Sequence, residues 1–86
     1  LALSNEEREE FIRLCQAAKV ATQQQQTKAA CNYFRQAIQI HPFSSRVWFE
    51  LAKVVERDDD RRVALENVLA LDPSHHEARQ MLKEMN

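Results

Sequence analysis

Apolar residues recur along this chain at spacings of three and four, in five stretches separated by short polar breaks. Phe11, Leu14, Cys15, Ala18 and Ala21 share one face of a helix predicted over roughly 5–23. Ser4 and Glu7 have the spacing of a capping box at its start, and Glu6, Glu7, Glu9 and Glu10 place negative charge near the positive end of the helix dipole. Residues 23–26 are polar, and Thr27 is the expected cap of a second helix. Its apolar face is Ala30, Phe34, Ala37 and Ile38, with Tyr33 and Ile40 beside them, to about residue 40. The segment His41-Pro42-Phe43-Ser44-Ser45 ends it, because proline disfavours helical geometry in the residue before it. Ser45 is the expected cap of a third helix carrying Val47, Trp48, Leu51, Ala52 and Val55. Asp58-Asp59-Asp60 reads as a turn and cap before a fourth helix with Val63, Ala64, Leu65, Val68, Leu69 and Leu71. Asp72-Pro73-Ser74 breaks that helix, and a last one, from about 75 to 85, carries Ala78, Met81, Leu82 and Met85. The expected fold class is all-α, with about five helices whose short connections make neighbours antiparallel.

One helix end is written twice. Gln36-Ala-Ile-Gln-Ile-His-Pro42 is echoed by Asn67-Val-Leu-Ala-Leu-Asp-Pro73, 31 residues on (73 − 42). Val47 and Leu51 follow the first proline as Ala78 and Leu82 follow the second. A period of this size in a helical sequence points to stacked helix pairs.

Ala30, Phe34, Ala37 and Pro42 have the spacing of the second helix of a tetratricopeptide repeat, A-x3-F-x2-A with a proline five residues on. Leu14, Ala17, Ala18 and Ala21 lie at the first-helix positions, and Trp48, Leu51, Ala52 and Val55 match the first helix of a following repeat. Residues 11–86 thus resemble that family. The resemblance implies a short right-handed α-solenoid in a single domain, 1–86. Its parts are a repeat over 11–44, a shortened repeat over 45–75 and a capping helix over 76–86. The 31-residue spacing is three short of the family's usual 34, and the missing residues are placed at the Asp58–Asp60 turn, where they tighten the second hairpin. In this register Leu65 takes the aromatic's place, Val68 and Arg61 those of the alanines, and Arg79 that of the tryptophan.

The resemblance further implies a concave face, lined by the first helix of each pair, that docks a protein or peptide. The register selects Cys15 and Lys19, with Ile12 and Thr22, from the first helix. From the third it selects Arg46, Phe49, Lys53 and Arg57, with Glu56, and from the last Glu77, Gln80 and Glu84. Lys19, Arg46, Lys53 and Arg57 make the face locally basic, which favours an acidic partner, and Phe49, beside a buried Trp48, is the candidate aromatic anchor. The plainer reading is a solvated helix surface. The lysine and asparagine clamp by which some members of the family hold an acidic tail has no counterpart at Cys15, Lys19 or Glu50. A second functional reading is self-association or a spacer role through end faces bearing Phe11, Ile12, Phe43 or Met85. A third is a regulatory domain of an enzyme.

Composition removes other classes. Among 86 residues there is no glycine, which excludes glycine-rich phosphate loops. The net charge of −1 gives no field to attract nucleic acid, and no helix carries the clustered basic and amide side chains of a recognition helix. No run of 18 apolar residues predicts a membrane span, and no leader of signal-peptide type is visible. The chain starts at Leu1 rather than Met, so a fragment of a longer protein is expected, with a cytoplasmic location. Cys15 and Cys31 read as two reduced, mostly buried thiols. His75 and His76, being adjacent, point to different sides of a helix and cannot chelate one ion, and Ser4, Ser44, Ser45 and Ser74 fall where helix caps belong. The reading is of no enzyme, no cofactor and no metal.

Overall fold

A computed structural model describes residues 2–85 and contains five helices: α1 (Asn5–Gln23), α2 (Thr27–Ile40), α3 (Ser45–Val54), α4 (Asp58–Leu71) and α5 (His76–Met85). Leu1 and Asn86, the ends of the expected domain, lie outside the described residues. Each connection is three or four residues long, too short for the chain to cross the molecule. Successive helices are therefore antiparallel and pack mainly on their neighbours in sequence. The shortest dimension of the fold, 17 Å, is the depth of two helix layers spaced ~10 Å apart. The fold is all-α.

The 31-residue period governs every helix. α1 and α3 end at Gln23 and Val54, and α3 and α5 begin at Ser45 and His76, 31 apart each time (54 − 23, 76 − 45). α2 and α4 begin at 27 and 58 and end at 40 and 71, again 31 apart (58 − 27, 71 − 40). This corrects the expectation of a second hairpin shortened at Asp58–Asp60. Both intra-hairpin turns have three residues, 24–26 and 55–57, and the aspartates form the first turn of α4 rather than a loop. The extra length lies elsewhere, because residues 5–13 of α1 precede the segment, 14–23, that matches α3.

The two junctions between hairpins repeat in hydrogen bonding as well as in length. His41 (φ −142°, ψ 91°) and Asp72 (φ −138°, ψ 87°) are both extended ahead of proline. Their N–H groups close α2 and α4 on Ala37 O (3.0 Å) and Val68 O (2.7 Å). Six residues after each proline, a side chain donates back to the proline carbonyl: Trp48 Nε1 to Pro42 O at 2.8 Å, and Arg79 Nη2 to Pro73 O. The following helix is capped at matching positions too. Ser44 Oγ accepts from Val47 N (3.3 Å), and His75 Nδ1 accepts from Ala78 N (3.1 Å).

Some caps differ from those expected. The Ser4–Glu7 box is present, with Ser4 Oγ accepting from Glu7 N and Glu7 Oε1 from Ser4 N. Thr27 and Ser45, by contrast, are the first helical residues of α2 and α3, and the capping positions are Gln26 and Ser44. Neither Gln26 nor Arg57, which precedes α4, makes a side-chain cap bond. Ser74 does not cap α5 but bonds through N and Oγ to Asp72 Oδ1, which leaves the capping role to His75.

Burial is divided between two clusters that share α3. Val47, Leu51 and Val55 turn toward Leu14, Ala18, Ala30, Phe34 and Ala37 of the first hairpin. Phe49 and Ala52 turn toward Ala64, Leu65, Val68 and Ala78. A ten-residue helix buried on two sides has little surface left over, and Trp48 bridges the margin of both clusters.

Candidate functional site

On α1, the core residues Leu14, Ala18 and Ala21 leave the next stripe round the helix, Ile12, Cys15, Lys19 and Thr22, facing α3 across a groove of about 420 Å³. The groove is built from three elements. α1 supplies Phe11, Ile12, Cys15, Gln16 and Lys19 along one wall, ending at Thr22 and Gln23. Ser44, Arg46 and Glu50 at the start of α3 form the other, and Phe34 and Val47, both buried in the first cluster, also line it. The hydroxyls at the site are used by the backbone: Thr22 Oγ1 donates to Ala18 O at 2.8 Å, and Ser44 Oγ caps α3.

Charge in the groove is unbalanced. Glu50 is held by Lys53 of its own helix, Oε2 to Nζ 2.7 Å. Among the described residues, no carboxylate pairs with Lys19 or Arg46. Burial pushes the Cys15 thiol above the ordinary thiol range, and the nearby Arg46 cation pulls it partly back, so the neutral thiol lines the wall. At one end an edge-to-face aromatic series leads out of the groove, from Phe11 to His41 (5.4 Å) and on to Phe43 (6.0 Å), a residue 68% exposed.

The structure brings together three of the residues selected from sequence, Cys15, Lys19 and Arg46, with Ile12 and Thr22. It separates the other three from them. Phe49 is buried at 9% exposure, its ring 4.5 Å from that of His75 and under the Lys53 ammonium at 5.1 Å, while Trp48 is only partly buried. The pair therefore sits the other way round from the expectation of an exposed Phe49 beside a buried Trp48. The cause is that α3 must also cover α4 and α5. Lys53 is occupied by Glu50 and the Phe49 ring. Arg57 stands before α4, pairs with Asp59 at 3.7 Å, and borders a separate recess with Lys28, Arg35 and Glu56. Glu77, Gln80 and Glu84 are exposed on α5, outside the groove.

Phe11, Gln16, Gln23, Phe34, Ser44, Val47 and Glu50 complete the groove and were not among the positions the register selects for the concave face. Phe11 carried a signal, one turn before Cys15 at the end of α1 that overhangs α3. Phe34 and Val47 carried none, because a core residue at the floor of a groove has the same pattern as one in a closed core.

The second cysteine and the Asp58–Asp60 run have structural partners. The Cys31 thiol donates to Val54 O at 3.5 Å and is pushed upward chiefly by burial, and neither cysteine is in a disulfide. Asp58, Asp59 and Asp60 each meet an arginine: Arg61 (2.8 Å), Arg57 (3.7 Å) and, across the hairpins, Arg35 (3.7 Å). Among the described residues no group of three or more His, Cys, Asp or Glu side chains could hold a metal ion, and no helix is long and apolar enough to cross a membrane. The arrangement can hold an apolar group and an anionic one side by side. No model of a known protein family, no curated protein and no solved structure matches the chain.

Proposed function

We propose that this chain is a non-enzymatic protein-binding module of tetratricopeptide-like stacked hairpins, a short right-handed α-solenoid working in the cytoplasm, and that a peptide of its partner docks between α1 and α3. The observation that carries this reading is the groove itself, where apolar Phe11, Ile12, Phe34 and Val47 lie beside two cations that no carboxylate of the described chain satisfies. Solvent-exposed apolar surface next to uncompensated charge is surface that a complementary partner can cover. A chemical role has less support, since both groove hydroxyls are bonded to backbone and the groove thiol is held in its neutral form.

Stacking of copies through α5 is disfavoured by its side chains. Where α3 presents Phe49 and Ala52 to the following helix, α5 has, 31 residues on, Gln80 and Lys83, both exposed. Polar side chains at these positions are of the kind a terminal repeat carries.

The test is selection of displayed peptides on the intact protein, followed by rebinding to the double variant Lys19→Glu/Arg46→Glu and to Arg57→Glu. Selected peptides should lose binding to the double variant and keep it on Arg57→Glu. Peptides that bind both variants as well as the parent would remove the groove from the proposal.

A further inference from the structure

The segment of α1 that precedes the repeat makes the groove asymmetric. Residues 5–13 have no counterpart in α3, so Phe11 and Ile12 extend beyond the start of α3 and wall one end with apolar surface. Ile12 remains 48% exposed there. Cys15 and Arg46 are equivalent positions of the repeat, 31 apart (46 − 15), and Lys19 lies one turn beyond Cys15 on the same face. The groove thus runs from an apolar end, past two cations, to Thr22 and Gln23.

Ile12 and Lys19 are seven positions apart on the helix, a rise of ~10 Å, which equals about three residues of chain in the polyproline II form, whose three-residue turn puts side chains i and i+3 on one side. We infer that the groove takes a short, extended, acidic segment of a partner protein, in which a bulky apolar side chain seats against Phe11 and Ile12 and an aspartate or glutamate about three residues away bridges Lys19 and Arg46. This rests on the docking reading above and adds the chemistry of the ligand to it. The occupant is argued from charge complementarity. The two cations lie along one stretch of the groove, while Glu50, the groove's own carboxylate, is already held by Lys53 and does not neutralise them. Bidentate contact favours Arg46 as the main carboxylate donor, with Lys19 as a point charge beside it.

The experiment is titration of the isotope-labelled protein, followed by its amide NMR signals, with four synthetic nonapeptides. The first carries one phenylalanine and, three residues on, one glutamate in an otherwise serine and alanine background. The second and third replace the glutamate with glutamine or lysine, and the fourth replaces the phenylalanine with alanine. The first should shift amides of residues 11–23 and 44–50, and bind about tenfold more tightly than the glutamine or lysine form. The alanine form should bind at least fivefold more weakly than the first. Arg46→Gln should remove most of the preference for glutamate over glutamine, while binding of the glutamine form stays unchanged. That preference is a readout that altered folding alone would not move. Equal binding of the glutamate, glutamine and lysine forms at the groove would overturn the inference and leave the docking reading standing. Shifts confined to another face, or none with any of the four, would overturn the inference too. The docking reading falls with it only if the display-selected peptides also bind independently of Lys19 and Arg46.

Discussion

In the first hairpin, α1 and α2 meet through Ala18, Ala21, Ala30 and Ala37, none more than 3% exposed, around Phe34. Thirty-one residues later the same positions hold Phe49, Ala52, Arg61, Val68 and Leu65. One position is unchanged, Ala21 and Ala52. The aromatic ring moves from the second helix of the pair to the first, and the small partners become larger as Phe34 gives way to Leu65. Volume is redistributed across the helix contact rather than conserved residue by residue, which is how a backbone period can persist while its side chains drift.

The turns differ in the same spirit. The first is closed by backbone alone. Gln26 N bonds Ala21 O (2.8 Å) and Gln25 N bonds Thr22 O (3.1 Å), the pairing of a Schellman motif. Gln25 sits at φ 61°, the left-handed position that glycine usually fills. The second turn is closed by a side chain. Arg61, at the position of the fully buried Ala30, donates from Nε to Ala52 O (3.1 Å) and from Nη2 to Val55 O (2.6 Å), covering carbonyls at the end of α3 that have no helical partner. Its Nη1 holds Asp58 at 2.8 Å.

The largest expected effect comes from breaking the second core. Leu65 is fully buried, so Leu65→Ala should cost about 2–5 kcal/mol in chemical denaturation. A cost below about 1 kcal/mol would mean that the leucine does not replace Phe34 as the centre of its hairpin. Next, Arg61→Ala strands the carbonyls of Ala52 and Val55 and should cost about 1–3 kcal/mol. Arg61→Lys should recover little, because one ammonium cannot reproduce the guanidinium fork. Asp58→Ala should cost much less, about 0.5 kcal/mol or below, since its carboxylate is 84% exposed. If Asp58→Ala were as damaging as Arg61→Ala, the ion pair rather than the carbonyl contacts would hold the turn. The smallest effect has the opposite sign. Gln25→Gly should stabilise by about 0.5–1 kcal/mol, the left-handed strain relieved less the added freedom of the unfolded chain, and raise Tm by a few degrees. The same change at Glu56, in a turn with no left-handed residue, should only destabilise.

The helices were legible because burial imposes a spacing of three and four, and the breaks at Pro42 and Pro73 follow from backbone sterics. Half of the selected site residues came together, Cys15, Lys19 and Arg46, because adjacent first helices align equivalent positions of the repeat. Phe49 went inward because sequence alone did not say that α3 serves two cores. The capping role of His75 was hidden because its counterpart, Ser44, is chemically unlike it and the match exists only in the hydrogen bond to the third residue on.

By itself, the sequence determined five amphipathic helices, their breaks and a spacing of 31, all consequences of local sterics and of periodic burial. Tertiary structure decided which stripe of each helix faces a core and which faces a groove, since that depends on where neighbouring helices stand. It also decided that the 31-residue spacing relates residues 14–54 to 45–85 rather than marking a tightened turn in one hairpin. A repeat length read from two prolines gives a distance, whereas only packed helices show that three residues suffice for each hairpin turn.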